Sequence, residues 1–154
     1  MKSAYITTNA KAIIKGSSKY PNLHGIIYFK QMKNGVLVTL EVFNLPFEKC
    51  KNEIYGFHIH EGTKCSGNNE DEFADVGSHF STNDCQHPYH SGDMPPIFGN
   101  NGYAYMSFFT NRFKLSEIIN KAVIIHKNTD DLTTQPSGNS KEKIACGIIS
   151  NEKF

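Results

Sequence analysis

Seven histidines stand in a chain of 154 residues, and five of them fall between His58 and His90. Imidazole binds metals and carries protons near neutral pH, so crowding of this kind points first to metal chemistry. His58 and His60 are two residues apart in a run, IYGFHIH at 54–60, that reads as a strand. Their side chains leave the same face and can share one ion, while Ile59 points to the other face. An H-x-H pair arises by chance about 0.3 times in a chain this rich in histidine, so alone it is a weak signal. A second group downstream strengthens it. His79, His87, His90 and Asp93 lie within HFSTNDCQHPYHSGD. Imidazole suits copper or zinc, and a carboxylate beside three imidazoles suits zinc in a closed site. His126 ends the apolar run AVIIH, where a strand delivers its last residue to the loops. Taken singly it reads as structural, as does His24 before GIIYF.

The elements that must position these residues read as short strands parted by turn residues, with no internal repeat and no low-complexity linker. Residues 4–14 carry β-branched side chains, and GIIYFKQ (25–31) and VLVTLEVF (36–43) flank Lys33-Asn34-Gly35. Asn-Gly between such runs signals a hairpin, because both turn residues must tolerate positive φ. Further strands are expected over 54–60, over 103–109 after Asn100-Asn101-Gly102, over 118–127 and over 144–149; only 115–120 looks briefly helical. Units of the βαβ type are excluded, and an all-β antiparallel sandwich or barrel is expected as one domain over 1–154. Between His60 and Phe98 runs a long Gly/Asn/Asp/Ser-rich stretch with almost no strand pattern. A loop of that length in a compact domain is usually functional.

Composition narrows the function classes. With 38% hydrophobic and 20% charged residues the chain is not disordered. Lys+Arg 16 against Asp+Glu 15 leaves a net charge of +1, which offers no basic field for nucleic acid and no polybasic patch for a membrane. No apolar run reaches the length of a bilayer span. The first ten residues hold no continuous apolar segment of the secretory kind, and the chain has no N-x-S/T sequon. A cytoplasmic protein, or a chain already processed, is the expectation. Cys50, Cys65, Cys85 and Cys146 lie far apart with no C-x-x-C pair. Four cysteines allow three full pairings, and reduced thiols buried as small hydrophobes are the reading the residues favour for a cytoplasmic chain.

Taken in order, GFHIHE (56–61), GSHF (77–80), HSGD (90–93), VIIHKNTDD (123–131) and SGNSKEKIACGII (137–149) resemble the signature segments of copper/zinc superoxide dismutases. LHGIIYFKQ (23–31) is similar to that family's second strand, so the resemblance runs nearly the length of the chain. It implies an eight-stranded antiparallel Greek-key β-barrel with long metal-binding and electrostatic loops. It implies copper on His58, His60, His79 and His126, and zinc on His79, His87, His90 and Asp93, with His79 as the bridging imidazolate. Asp130 matches the aspartate that ties a copper histidine to a zinc histidine. Cys65 and Cys146 match the family's intrachain disulfide, leaving Cys50 and Cys85 as free thiols.

The activity implied is ping-pong dismutation of superoxide to dioxygen and hydrogen peroxide, with His79 as proton relay and superoxide drawn in by local positive charge. Lys143 stands where the family usually has an anion-docking arginine; lysine keeps the charge but loses the planar fork. Lys141 adds to the patch, and Glu142 between them works against it. His87 and His90 are parted only by Pro88-Tyr89, a compressed zinc loop. A homodimer and a copper chaperone are the partners the resemblance suggests. The alternative is a non-catalytic copper-binding or copper-chaperone-sequestering relative; such proteins usually lack a copper ligand, and here all four are in place.

Overall fold

The computed structural model describes residues 9–152. Nine strands are found among them: β1 (Asn9–Gly16), β2 (His24–Met32), β3 (Gly35–Phe43), β4 (Ile54–Tyr55), β5 (Phe57–His60), β6 (Ile97–Phe98), β7 (Ala104–Thr110), β8 (Ala122–His126) and β9 (Lys143–Asn151). One turn of helix, α1 (Leu115–Ile118), precedes β8. Residues 4–8 of the first expected strand lie outside the described region; the strand itself runs on to Gly16.

Seven strands form one antiparallel sheet in the order β5-β8-β9-β1-β2-β3-β7, and β4 pairs with β6. The single strand expected over 54–60 is broken at Gly56, whose N–H donates to Asn128 O at 2.8 Å instead of continuing a ladder. A side chain there would collide with Ser140. Counted through that break the strands number eight. The sheet curls, and the β4–β6 pair spans its two edges, since β4 runs into β5 and β6 lies against β7. This is the expected all-β Greek-key barrel architecture. No helix among the described residues is long and apolar enough to cross a membrane.

Strict alternation builds the interior. Ala10, Ala12 and Ile14 of β1, Ile27 and Phe29 of β2, and Val36, Val38, Leu40 and Val42 of β3 are all fully buried. Their alternate neighbours face outward, as a half-buried antiparallel sheet requires. Strands β5 and β8 differ: every residue in both is buried. One face of each packs on the core, and loops cover the other. A second apolar cluster, Phe73, Val76, Ala122, Ile124 and Cys146, seals the loop after β5 onto the outer face of β8 and β9.

One turn departs from expectation. The β2–β3 hairpin forms, but Met32 pairs with Gly35, so its loop is Lys33-Asn34, and neither residue has positive φ. Gly35 serves packing, because a Cβ there would overlap Thr110 O and the Phe109 ring. The left-handed pair is Asn101-Gly102, at φ 52° and 85°, before β7.

Candidate metal centre

The main chain of Ile59 is the point on which the site is assembled. Its N–H donates to Gly92 O at 2.9 Å, and its carbonyl accepts from Phe80 N at 2.8 Å. Bridges His58–Asp93 and His60–His79 extend these contacts, so the HSGD and GSHF segments follow one another along the edge of β5 opposite β8. Ile59 points into the core, fully buried, and His58 and His60 point the other way under the loops. β8 pairs with β5 and ends on His126, which brings the fourth imidazole beside them.

All seven sequence-expected ligands converge. His58, His60, His79 and His126 each offer one ligand atom, and within the group these atoms lie within 4.8 Å of one another; the same holds for His79, His87, His90 and Asp93. His79 belongs to both groups, and its ring centroid is 4.0 Å from that of His58. His24 stands apart, hydrogen-bonded to Asn22 O and stacked on Phe43.

Hydrogen bonds decide which nitrogen each ring presents. His60 Nδ1 donates to Gly77 O at 2.7 Å and His126 Nδ1 to Lys141 O at 3.1 Å, leaving two Nε2 atoms 3.4 Å apart. His58 Nε2 donates to Asp130 Oδ2 at 2.6 Å and His87 Nε2 to Asp130 Oδ1 at 2.8 Å, leaving the Nδ1 of each. His58 Nδ1, His79 Nε2, His87 Nδ1 and His90 Nδ1 are buried without a hydrogen-bond partner. The Nδ1 atoms of His87 and His90 lie 3.0 and 3.1 Å from Asp93 Oδ2, yet without hydrogen-bond alignment. Buried polar atoms left unpaired are costly, and ring nitrogens converging with a carboxylate are the donor set a divalent cation satisfies. The residues fit copper in the first group and zinc in the second.

Electrostatics prepares the same ligands. Burial, with the neighbouring His79, pushes the His60 imidazole down to about 3. His126 is held well below the usual range by burial and then by His58 and His60. Burial also lowers His58, against the opposing pull of Asp130. These rings are neutral near pH 7 and present lone pairs without first losing a proton. Burial works to raise the Asp93 and Asp130 carboxyls, but the histidine N–H groups facing them outweigh it and hold both below the ordinary value.

The family model for copper/zinc superoxide dismutase (SODC) matches residues 23–149. The chain belongs to the copper/zinc superoxide dismutase family. It is 34% identical over 152 residues to a superoxide dismutase [Cu-Zn] of Legionella pneumophila, covering 96% of this chain and 90% of that protein. It is 30% identical over 143 residues to one of Deinococcus radiodurans, covering 81% and 76%. A superoxide dismutase [Cu-Zn] of Paramecium bursaria Chlorella virus 1 is 27% identical, covering 94% and 79%.

In this dismutase-family chain the cysteines correct the reading from residue type alone. Cys65 and Cys146 form a disulfide, and Cys50 and Cys85 are free but exposed, so the thiols are not all reduced and buried. The pairing implied by the family resemblance is the one found. Lys143 and Lys141 line, with His60, His79 and His126, an open cavity of about 620 Å³. Glu142 is turned aside, paired with Lys19 at 3.0 Å and with Lys127 at 3.9 Å.

Four residues that shape the dismutase site carried no signal in the sequence. Gln135 brackets the main chain of His87, accepting from its N–H at 3.0 Å and donating to its carbonyl at 2.7 Å. Arg112, the chain's single arginine, donates from Nη1 to Pro88 O at 2.6 Å and Asp93 O at 3.3 Å. Gly138, at φ 66°, lies so close to Asp130 and His87 that any Cβ would overlap both. Asp71 is ion-paired with Lys143.

Proposed function

We propose that the chain disproportionates superoxide to dioxygen and hydrogen peroxide, holding copper at His58, His60, His79 and His126 and zinc at His79, His87, His90 and Asp93. The observation that carries this reading is the double membership of His79, whose Nδ1 meets Asp93 Oδ1 at 2.7 Å in the second group while its Nε2 stays buried and unpartnered. When bound, copper supplies a one-electron couple that oxidises one superoxide and reduces the next, and zinc supplies a fixed positive charge beside it.

The protein does the rest. His79 Nε2, buried and unpartnered, is the atom at which a proton is held for the peroxide product. Asp130 fixes His58 and His87 through their Nε2–H groups, so a single carboxylate sets the aim of one ring in each group. Lys143 and Lys141 supply the local attraction for a small anion that a net charge of +1 does not provide elsewhere. The complete set of four histidines at the copper position favours an enzyme over a copper-binding relative without activity. Self-association into a homodimer and loading by a copper chaperone belong to the same proposal.

Metal analysis of the purified protein beside a superoxide-dismutation assay tests it. Copper and zinc both bound, with fast turnover that falls as salt is added, is the expected result. Full copper loading without dismutation sinks it. Sedimentation equilibrium measures the dimer, and copper uptake with and without a donor chaperone measures the second partner.

A further inference from the structure

Lys143 lines the cavity that His60, His79 and His126 also line, and Asp71 meets it from the adjoining cavity, whose wall Lys141 and Lys143 share. The carboxylate comes from the loop after β5, which the Cys65–Cys146 disulfide ties to the strand that carries Lys143. The pair is graded in depth, with the Lys143 side chain 17% exposed and the Asp71 side chain 40% exposed. Asp71 is not a loose surface acid. Its N–H donates to Asn68 Oδ1 at 3.0 Å, its Oδ1 accepts from Phe73 N at 3.0 Å, and its carbonyl accepts from Asn68 N at 2.9 Å. One carboxylate oxygen is thereby committed to the loop and the other is aimed at Lys143. Burial works to raise this carboxyl, but the Lys143 ammonium and the Phe73 amide outweigh it, so it stays ionised at any pH near neutrality. Lys141 lines the same cavity with no carboxylate partner among the described residues, so the two cations are not equivalent.

A lysine expected to attract and orient an anion is therefore already holding one. We propose that Asp71 is a positioning residue that pins Lys143 to the cavity wall and offsets its charge, restraining the capture of superoxide and of other small oxyanions. The inference rests on the dismutase reading above. An entering anion must compete with the carboxylate for the ammonium, or pass it by and rely on Lys141. Removing the negative charge beside the Lys143 ammonium raises anion capture by about threefold at low salt, and the gain shrinks as added salt shortens the Debye length.

The test compares the copper- and zinc-loaded wild type with Asp71→Asn, Asp71→Glu and Lys143→Gln. Two readouts are followed across ionic strength: kcat/KM for superoxide, and the affinity for inorganic phosphate from broadening of its phosphorus resonance by the bound copper. Asp71→Asn is expected to raise both by about threefold at low salt and to steepen their decline with salt. Asp71→Glu keeps the charge and is expected to stay near wild type, while Lys143→Gln lowers both readouts. An Asp71→Asn protein that binds phosphate no better than wild type, or more weakly, overturns the proposal. If the metal-loaded wild type turns over no superoxide, the dismutase reading fails, and the phosphate affinities still decide the role of Asp71.

Discussion

The side-chain amide of Gln135 and the main chain of His87 bind each other reciprocally, at 3.0 Å from the His87 N–H and 2.7 Å to its carbonyl. Arg112 holds the carbonyls of Pro88 and Asp93. The compressed stretch from His87 to Asp93 is thus fixed through its backbone, which leaves the ligand atoms of His87, His90 and Asp93 free to converge. Supports of this type usually matter to affinity by one to two orders of magnitude. Gln135→Ala and Arg112→Ala are each expected to lower zinc affinity about 10–100-fold, measured by chelator competition. Arg112→Lys should fall between, because an ammonium lacks the planar array of donors. Unchanged zinc affinity in both alanine variants would show that the loop holds its shape without them.

The contrast between ligands and supports explains which parts of the site are legible in the sequence. Metal donors come from few residue types, and local geometry constrains their spacing, so His58, His60, His79, His87, His90 and Asp93 are identifiable from residue type and spacing, whereas His126, which reads singly as structural, is marked only by the family resemblance. Gln135, Arg112 and Gly138 act on main-chain atoms or on space, across separations such as the 48 residues between Gln135 and His87. Many residue types can donate to a carbonyl, so nothing local marks the one that does. The strands are legible for the same reason as the ligands, through alternation of period two. The break at Gly56 is not, because IYGFHIH keeps its apolar and aromatic content across a residue whose N–H turns to Asn128. Residue type alone misleads on the cysteines. Burial of thiols is the common outcome, and only the family's pattern points to Cys65 with Cys146.

The disulfide closes a sequence separation of 81 residues and anchors the loop that carries Asp71. In the chain-entropy account a loop of that length stabilises the fold by about 4–5 kcal/mol. Replacing Cys65 and Cys146 together by serine is expected to lower Tm by about 10–20 °C, measured by calorimetry on protein with matched metal content. A fall of only a degree or two would mean that the apolar contacts of Phe73 and Val76 hold the loop by themselves.

Tyr55 gives the alkaline limb of stability a definite source. Its ring is fully buried and its hydroxyl donates to Pro46 O at 2.9 Å. Burial, and then the charge of Glu53, push the phenol from 10.0 up to about 12. The unfolded chain releases this proton near pH 10 while the folded chain keeps it to about pH 12. The folded state binds more protons in that window, so the contribution is whole below pH 10 and is lost as pH rises through the window. Denaturant unfolding of wild type and Tyr55→Phe at pH 8 and pH 11 checks it. The variant should lose about 1 kcal/mol at pH 8 from the missing hydrogen bond and show a shallower alkaline decline. Parallel declines in the two proteins would place the alkaline sensitivity elsewhere.

By the family resemblance Lys143 occupies a position that usually holds arginine, and in the proposed function its single ammonium, already paired with Asp71, also receives the incoming anion. A guanidinium divides that labour, since five N–H donors on a rigid plane let one edge hold a carboxylate while another faces the cavity. Lys143→Arg is therefore expected to preserve kcat/KM or raise it by a few-fold, through firmer orientation of the anion rather than added charge. Because the net charge is unchanged, the slope of rate against ionic strength should match wild type even if the rate itself rises. A steeper slope would mean that the substitution had freed charge from Asp71, and a lower kcat/KM would show that lysine is the better residue in a cavity already supplied with a carboxylate.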